Sequence, residues 1–403
     1  MSDDIMIGRQ PIFDRDFKVI AYEILYRGVE TCIDTKKTAE AMISTMIDIG
    51  LEHVAGSLPV LFNVDRAFLL NETELMQALP PEQVYVEILE TVPDDPEVLA
   101  ACRSLKEKGY CLALDDVTSI EHARAFVDYV DIIKIDWKQA EYPAAIMKEF
   151  RHHDVRFLAE KVESFEDVES AKALNVDLYQ GYFFCKPDTV SGSKPPESKM
   201  AILRAMQQAM IATSIDALFD VVRQDVTLSY RLLKYINSAA FGLRREIASI
   251  EQALSLLGLN NIRRWLTLLA MTSLAENKPQ ELIRQALWRA RFLESLARQL
   301  GETIVDDDFL MGLFSILDAL LDQSMQDSLQ NISLADHVHN GLIDLNSPMG
   351  QKLALSFAIE QGDWDFIKSF TDDGRRIAYT DVTRLQAEAI SWADEQVLAL
   401  NAL

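Results

Sequence analysis

The chain reads as a parallel α/β barrel followed by an all-α domain, and three features of the sequence carry that reading. Short apolar runs recur through the first 187 residues, each closing on a polar or charged residue. Amphipathic stretches separate them, the alternation expected of βα units around a parallel sheet or barrel. Beyond a segment of turn formers at 188–198, the apolar period becomes that of helices.

In order, the runs are Val19–Tyr22 before Glu23, Val60–Phe62 before Asn63, Val84–Val86 before Glu87, Cys111–Leu114 before Asp115 and Asp116, Ile132–Ile133 before Lys134, Phe157–Ala159 before Glu160, and Leu178–Tyr179 before Gln180. The amphipathic stretches are Ala39–Gly50, Glu97–Lys108, Ile120–Tyr129 and Phe165–Leu174. In a parallel barrel the C-terminal strand ends converge on one mouth, so residues spread over more than 150 positions would meet in one site. A lone carboxylate at a strand end is ordinarily a solvated loop residue or a helix cap. Its repetition on successive strands is something a barrel used only as scaffold does not need.

Gathered carboxylates raise one another's pKa, and divalent cations remove that cost. Oxygen-only ligands suit magnesium, manganese or calcium rather than zinc. The tandem Asp115-Asp116 could serve two neighbouring ions, which clamp both sides of a phosphoryl displacement, with Lys134 orienting the nucleophile or neutralising charge. The pattern alone leaves the chemistry open, because enolase-like barrels also combine acidic metal ligands with a lysine.

The run from Pro187 to Ser198 holds prolines, small residues and almost no apolar content, and is expected to link domains at 1–187 and 199–403. Helical periodicity then covers Met200–Thr213, Ser214–Arg223, Leu228–Asn237, Ile250–Leu257, Asn261–Glu276, Pro279–Leu300, Phe309–Leu321, Met349–Gln361 and Val382–Leu403. Two domains suit a chain of 403 residues. A formal charge of −24 argues against bulk nucleic-acid or anionic-lipid binding. The acidic start Met1-Ser2-Asp3-Asp4 lacks an apolar leader, and no apolar run has membrane-spanning length, so a cytoplasmic protein without a membrane partner is expected. Cys32, Cys102, Cys111 and Cys185 form no CxxC pair and read as buried thiols.

Tyr22-Glu23-Ile24-Leu25-Tyr26-Arg27 resembles the E-A-L signature of the EAL domain, the cyclic di-GMP phosphodiesterase module, with Ile24 in place of the signature alanine. Phe62-Asn63-Val64, Val86-Glu87-Ile88-Leu89-Glu90, Leu114-Asp115-Asp116, Ile133-Lys134-Ile135-Asp136, Leu158-Ala159-Glu160-Lys161-Val162-Glu163 and Gln180–Pro187 follow in that family's order. The resemblance spans roughly residues 5–187 and implies a modified (β/α)8 barrel. It implies that Glu23, Asn63, Glu87 and Asp115 bind one Mg2+ or Mn2+ and that Asp116 helps hold a second. Glu160 would orient or deprotonate the attacking water, Lys134 would assist, and Glu90 would steady the loop after Asp116. Arg27, Glu163 and Gln180 match positions that meet substrate. One departure stands out: active members follow the double aspartate with Phe-Gly and a small-residue loop coupling dimerisation to the site, whereas Val117-Thr118-Ser119-Ile120-Glu121-His122 follows here.

Leu228–Gly242 and Ile250–Gly258 resemble the HDOD domain, a helical relative of HD phosphohydrolases. At the position of the metal-binding His-Asp pair stands Gly312-Leu313-Phe314-Ser315-Ile316, so no metal is expected there. His153-Asp154 spells the pair but precedes a barrel strand and reads as a solvated loop. His337 and His339 read as exposed loop residues, Trp265 and Trp288 as core, and the pairs Arg244-Arg245 and Arg263-Arg264 as surface charges. Together the halves resemble the EAL–HDOD (YuxH-like) family. Two readings follow: a cyclic di-GMP phosphodiesterase or binding protein with a partner-binding HDOD domain and a second copy as partner, or a degenerate pseudoenzyme acting as a regulatory scaffold.

Overall fold

A computed structural model describes residues 6–27, 55–71, 79–140, 142–185, 197–212, 214, 217–218, 226–237, 247, 249–276, 278–330, 332–372 and 377–402. The stretches Ala39–Gly50 and 187–196, Cys32 and the Arg244-Arg245 pair fall outside them. The chain divides into two compact units. One comprises Met1–Phe184 with Ala358–Ser369 and Tyr379–Thr383, and the other takes Cys185–Phe357, Phe370–Ala378 and Arg384–Leu403.

In the first unit β1 (Met6–Phe13), β2 (Val19–Arg27), β3 (Val60–Val64), β4 (Val84–Ile88), β5 (Cys111–Val117), β6 (Ile132–Asp136), β7 (Arg156–Glu160) and β8 (Leu178–Gln180) close into a barrel in sequence order. All the expected runs are strands. Among the described residues, the strand not anticipated is β1, which pairs antiparallel with both β2 and β8. Its turn is built by Asp14, whose Oδ1 accepts the backbone N–H groups of Asp16 and Lys18 at 2.9 Å each. Outside the barrel run α1 (Arg66–Asn71), α2 (Pro96–Glu107), α3 (Ile120–Arg124), α4 (Pro143–Phe150) and α5 (Phe165–Ala173). Their starts are set locally. Asp95 caps α2 ahead of Pro96, and Ser164 with Asp167 forms a capping box on α5.

Side chains alternate across each strand, so residues two apart share a face. Ile12, Ala21, Leu61, Ala113, Ile132, Leu158 and Leu178 form one buried cluster inside the barrel, with Tyr85 packed against it. Each strand supplies one of these residues, as expected of a layered barrel interior. Two residues further toward the C-terminal mouth lie Glu23, Asn63, Glu87, Asp115, Lys134, Glu160 and Gln180. Because β1 runs the other way, its residue at this level precedes the apolar one, and it is Gln10, in register with Glu23.

Helices follow the barrel: α6 (Glu197–Ile211), α7 (Val226–Ile236), α8 (Ile250–Leu274), α9 (Gln280–Gln299), α10 (Asp306–Phe314), α11 (Leu317–Leu321), α12 (Met325–Leu329), α13 (Asp336–Ile343), α14 (Pro348–Gln361), α15 (Trp364–Asp372) and α16 (Tyr379–Asn401). The stretches read as Ile250–Leu257 and Asn261–Glu276 are one run broken at Gly258, whose φ of 72° and ψ of 169° are non-helical. His337 and His339 lie on α13 rather than in a loop, because Val338 and Leu342 on that helix bury against the core. In the second unit α9 is largely buried, with Leu282, Ala286, Leu287, Phe292, Leu293 and Leu296 among its buried residues. It meets α10 at Gly312, where a Cβ would overlap the backbone of Ala290, so only glycine permits the approach. Trp265 and Trp288 are buried, as expected. Cys102 is buried, whereas Cys111 and Cys185 are only partly so.

Candidate functional site

The level of side chains above the apolar layer forms a cup with an ammonium group at its centre. Lys134 Nζ lies 3.0 Å from Glu23 Oε2, 2.8 Å from Asp115 Oδ1 and 3.2 Å from Glu160 Oε2, and it also pairs with Glu87 Oε1. Gln180 Nε2 donates to Glu23 Oε2 at 2.6 Å and to Gln10 Oε1 at 3.0 Å. Gly181 lets β8 end against β7: it has φ 145°, and a Cβ there would overlap the backbone of Val162.

One ammonium does not balance four carboxylates, and the pKa directions record the imbalance. Burial, then the charge of Glu23, pushes Glu87 well above the usual carboxylate range. Burial likewise pushes Glu160 up to about 8, with Asp115 and Asp116 adding to it and Lys134 opposing. Burial acts against Asp115 too, but Lys134 and hydrogen bonds outweigh it and leave that carboxyl below its ordinary value. Lys134 would be depressed by burial, yet Glu160, Glu23, Glu87 and Asp115 hold it well above its ordinary value.

Four oxygens in this cup are buried without a hydrogen-bond partner: Asn63 Oδ1, Glu87 Oε2, Glu160 Oε1 and Gln180 Oε1. Buried acceptors are almost always satisfied in folded proteins, so a cluster left open is a place for a ligand that accepts lone pairs. All four are hard oxygens, and the donor set therefore fits a magnesium- or manganese-type cation. Nearer the rim, carboxylate oxygens of Glu90, Asp115 and Asp116 lie within 4.8 Å of one another. Asp116 adopts φ 43°, where the pairing of β5 with β6 shifts register between Leu114 and Val117. The shift turns successive aspartates toward different parts of the mouth.

Of the residues singled out in the sequence, Glu23, Glu87, Asp115, Lys134, Glu160 and Gln180 converge directly, and Asn63 stands in register beside Glu87. Asp116 and Glu90 belong to the rim. Glu163 is exposed at the start of α5, its backbone N–H donating to Asp167 Oδ2 at 3.0 Å. The side chain of Arg27 lies outside the described residues; its backbone ends β2. Three participants went unnoticed in the sequence. Gln10 was hidden by the reversed direction of β1. Lys161 pairs with Asp116 Oδ1 and with buried Asp136 Oδ2, at 2.6 Å each, and follows Glu160 immediately. His122, depressed by burial, feels the opposing charges of Glu90, Asp115 and Asp94. The departing segment itself is the end of β5 followed by a helix start, in which Ser119 Oγ accepts the His122 N–H at 3.4 Å.

A barrel whose C-terminal mouth gathers carboxylates, an amide and a central lysine defines a class of carboxylate-rich mouth on a (β/α)8-like scaffold, with oxygens of a kind that fits a hard cation. Comparison with known proteins narrows the class. The EAL domain matches residues 62–187 and the HDOD domain residues 193–341. The YuxH protein of Bacillus subtilis (strain 168) is 30% identical over 96% of this chain and 98% of its own. CdgJ of Vibrio cholerae, named a cyclic di-GMP phosphodiesterase, is 30% identical over 90% of this chain and 86% of its own. Among solved structures, an EAL domain protein from Listeria monocytogenes EGD-e is 23% identical with a TM-score of 0.36, over 45% of this chain and 87% of that one. The chain belongs to the EAL–HDOD family of proteins that includes YuxH. Among the described residues no helix is long and apolar enough to cross a membrane.

Proposed function

We propose that this protein acts in cyclic di-GMP signalling, binding the dinucleotide over the carboxylate mouth of the barrel and hydrolysing one of its phosphodiester bonds to the linear dinucleotide. The observation that carries this reading is the set of buried, unpartnered oxygens on Asn63, Glu87, Glu160 and Gln180 around an uncompensated carboxylate cup. The phosphodiesterase named in the relative from Vibrio cholerae supports it. Glu23, Asn63, Glu87 and Asp115 would hold one Mg2+ or Mn2+, and Asp116 a second. Such ions supply an activated water and neutralise phosphate charge.

The chain's own residues do the rest. Glu160 takes the proton of the attacking water at its open Oε1 as the new P–O bond forms and the bond to the ribose oxygen breaks, that oxygen leaving as a hydroxyl with a proton from solvent. The Lys134 ammonium counters charge growing on the phosphoryl oxygens, and Glu90 steadies the rim. Arg27, Glu163 and Gln180 orient the substrate. The helical domain, joined through 188–198, engages a protein partner, while 358–369 and 379–383 group with the barrel. A second copy of the chain and a cytoplasmic setting belong to the same reading.

A regulatory scaffold is the competing reading, and one observation favours it: the segment after Asp116 is a strand end and helix start without glycine. The test is incubation of the full chain with cyclic di-GMP and Mg2+ or Mn2+, following binding by calorimetry and linear product by chromatography. Product that depends on metal and on Glu23 supports the phosphodiesterase. Binding without product makes the barrel a sensor, and neither makes it a scaffold.

A further inference from the structure

Lys161 is not used by the mechanism above, yet it is the second ammonium in the mouth. It sits at φ 56°, immediately after Glu160. Its Nζ lies 2.6 Å from Asp116 Oδ1 and 2.6 Å from Asp136 Oδ2. Asp136 is fully buried and needs this partner less than the ion pair suggests, because it also accepts the backbone N–H groups of Lys138 and Gln139 and the Gln139 amide, at 2.8, 2.9 and 2.8 Å. Asp116 has a different alternative: it shares the group of clustered oxygens with Glu90 and Asp115. Glu160 Oε1, on a side chain 7% exposed, is buried without a hydrogen-bond partner and feels the charges of Asp115 and Asp116. The inner and outer halves of the mouth therefore differ. Around Lys134, oxygens of Asn63 and Glu87 stay open for a cation, whereas at the rim one Asp116 oxygen is already taken by an ammonium.

We propose that Lys161 is a built-in competitor for the outer divalent cation: it neutralises Asp116 when that ion is absent and must withdraw before the ion binds at Glu90, Asp115 and Asp116. The Lys161 side chain is 42% exposed, so it can swing into water without opening the core. The barrel is thereby biased toward loading one ion before the second. This inference rests on the metal reading of the mouth.

The test is calorimetric titration of Mn2+ into the metal-free full-length chain, for wild type, Lys161→Gly and Lys161→Gln. Glycine suits the positive φ, and glutamine keeps most of the length without the charge. The wild type should titrate as two unequal sites, and in both variants the weaker should tighten by about tenfold while the tighter stays unchanged. Unchanged second-site affinity in both variants overturns the proposal. Weakened second-site affinity overturns it as well, since Lys161 would then be organising Asp116 for the ion. If the wild type takes up no Mn2+ and Asp115→Asn changes nothing in the titration, the metal reading itself fails, and this inference with it.

Discussion

Two buried charge clusters, one in each unit, are built on opposite principles. In the helical unit the carboxylate of Glu294, 1% exposed, accepts from Arg264 at 2.9 Å, Arg291 at 2.9 Å and Arg298 at 2.6 Å. Three guanidiniums serve one carboxylate, and both of its oxygens are satisfied. At the barrel mouth the ratio is inverted: four carboxylates share the Lys134 ammonium, and several oxygens find no partner. Burying charge is tolerated when the chain supplies the counter-charge and hydrogen bonds itself. Where it does not, the fold carries a cost that a ligand can remove. The first cluster satisfies its own carboxylate, and the second leaves buried oxygens open.

The sharpest way to break this comparison is to remove ligands from the mouth. Glu23→Ala or Asp115→Ala should abolish metal-dependent hydrolysis of cyclic di-GMP while leaving the far-ultraviolet circular dichroism spectrum intact. Full product formation by Glu23→Ala would show that the site is wrongly placed. In the helical unit the loss should instead be one of stability. Glu294→Ala, which removes three charged hydrogen bonds but leaves Arg264 paired with Asp306 and Arg291 and Arg298 open to solvent, should destabilise that unit by about 1–3 kcal/mol in denaturant melts followed by tryptophan fluorescence.

Glu87→Gln should go the other way. The Glu87 carboxyl is pushed well above its ordinary range, by burial first and Glu23 next, so the folded protein favours its protonated form. Stability from that form is full at acid pH and is lost as pH rises through the folded value; the amide has no proton to lose. The variant should therefore unfold at higher denaturant than wild type at alkaline pH in chelator, and bind Mn2+ more weakly. Equal destabilisation by Glu87→Gln and Glu294→Ala would erase the distinction between the two clusters.

Asp318 tests the helical unit by pH alone. Burial pushes it up to about 6, against the opposing hydrogen bond from Ala319 and the charge of Arg289. Its stabilising contribution is full below about pH 4 and is lost as pH rises through 6. Asp318→Asn should accordingly gain about 2 kcal/mol above pH 7 and nothing near pH 4, measured as a shift in unfolding midpoint. The smallest change concerns the rim. Val117→Phe with Thr118→Gly should raise turnover if the segment after Asp116 limits it, and unchanged turnover would remove that segment from the account.

Much of the mouth could be read from the chain because strand alternation is local. A residue two positions beyond an inward apolar side chain points the same way whatever the rest of the protein does, so Glu23, Asn63, Glu87, Asp115, Lys134, Glu160 and Gln180 were all exposed by one rule. The same rule missed Gln10, since it assumes a chain direction and β1 runs against it. It missed Lys161 because that residue lies past the strand end, where the direction of the side chain depends on a positive φ. In the helical unit, periodicity found most of the helices and broke at Gly258, where the backbone is non-helical, but polarity suggested a loop where α13 buries only Val338, Gly341 and Leu342.

The sequence by itself determined which residues can reach the mouth and that helices follow the barrel, because both follow from periodicity within a few neighbouring residues. The tertiary structure alone decided which charges meet. It placed Lys134 among four carboxylates, set Lys161 against Asp116 and left four oxygens open, because ion pairing depends on register and barrel closure between strands far apart in the chain.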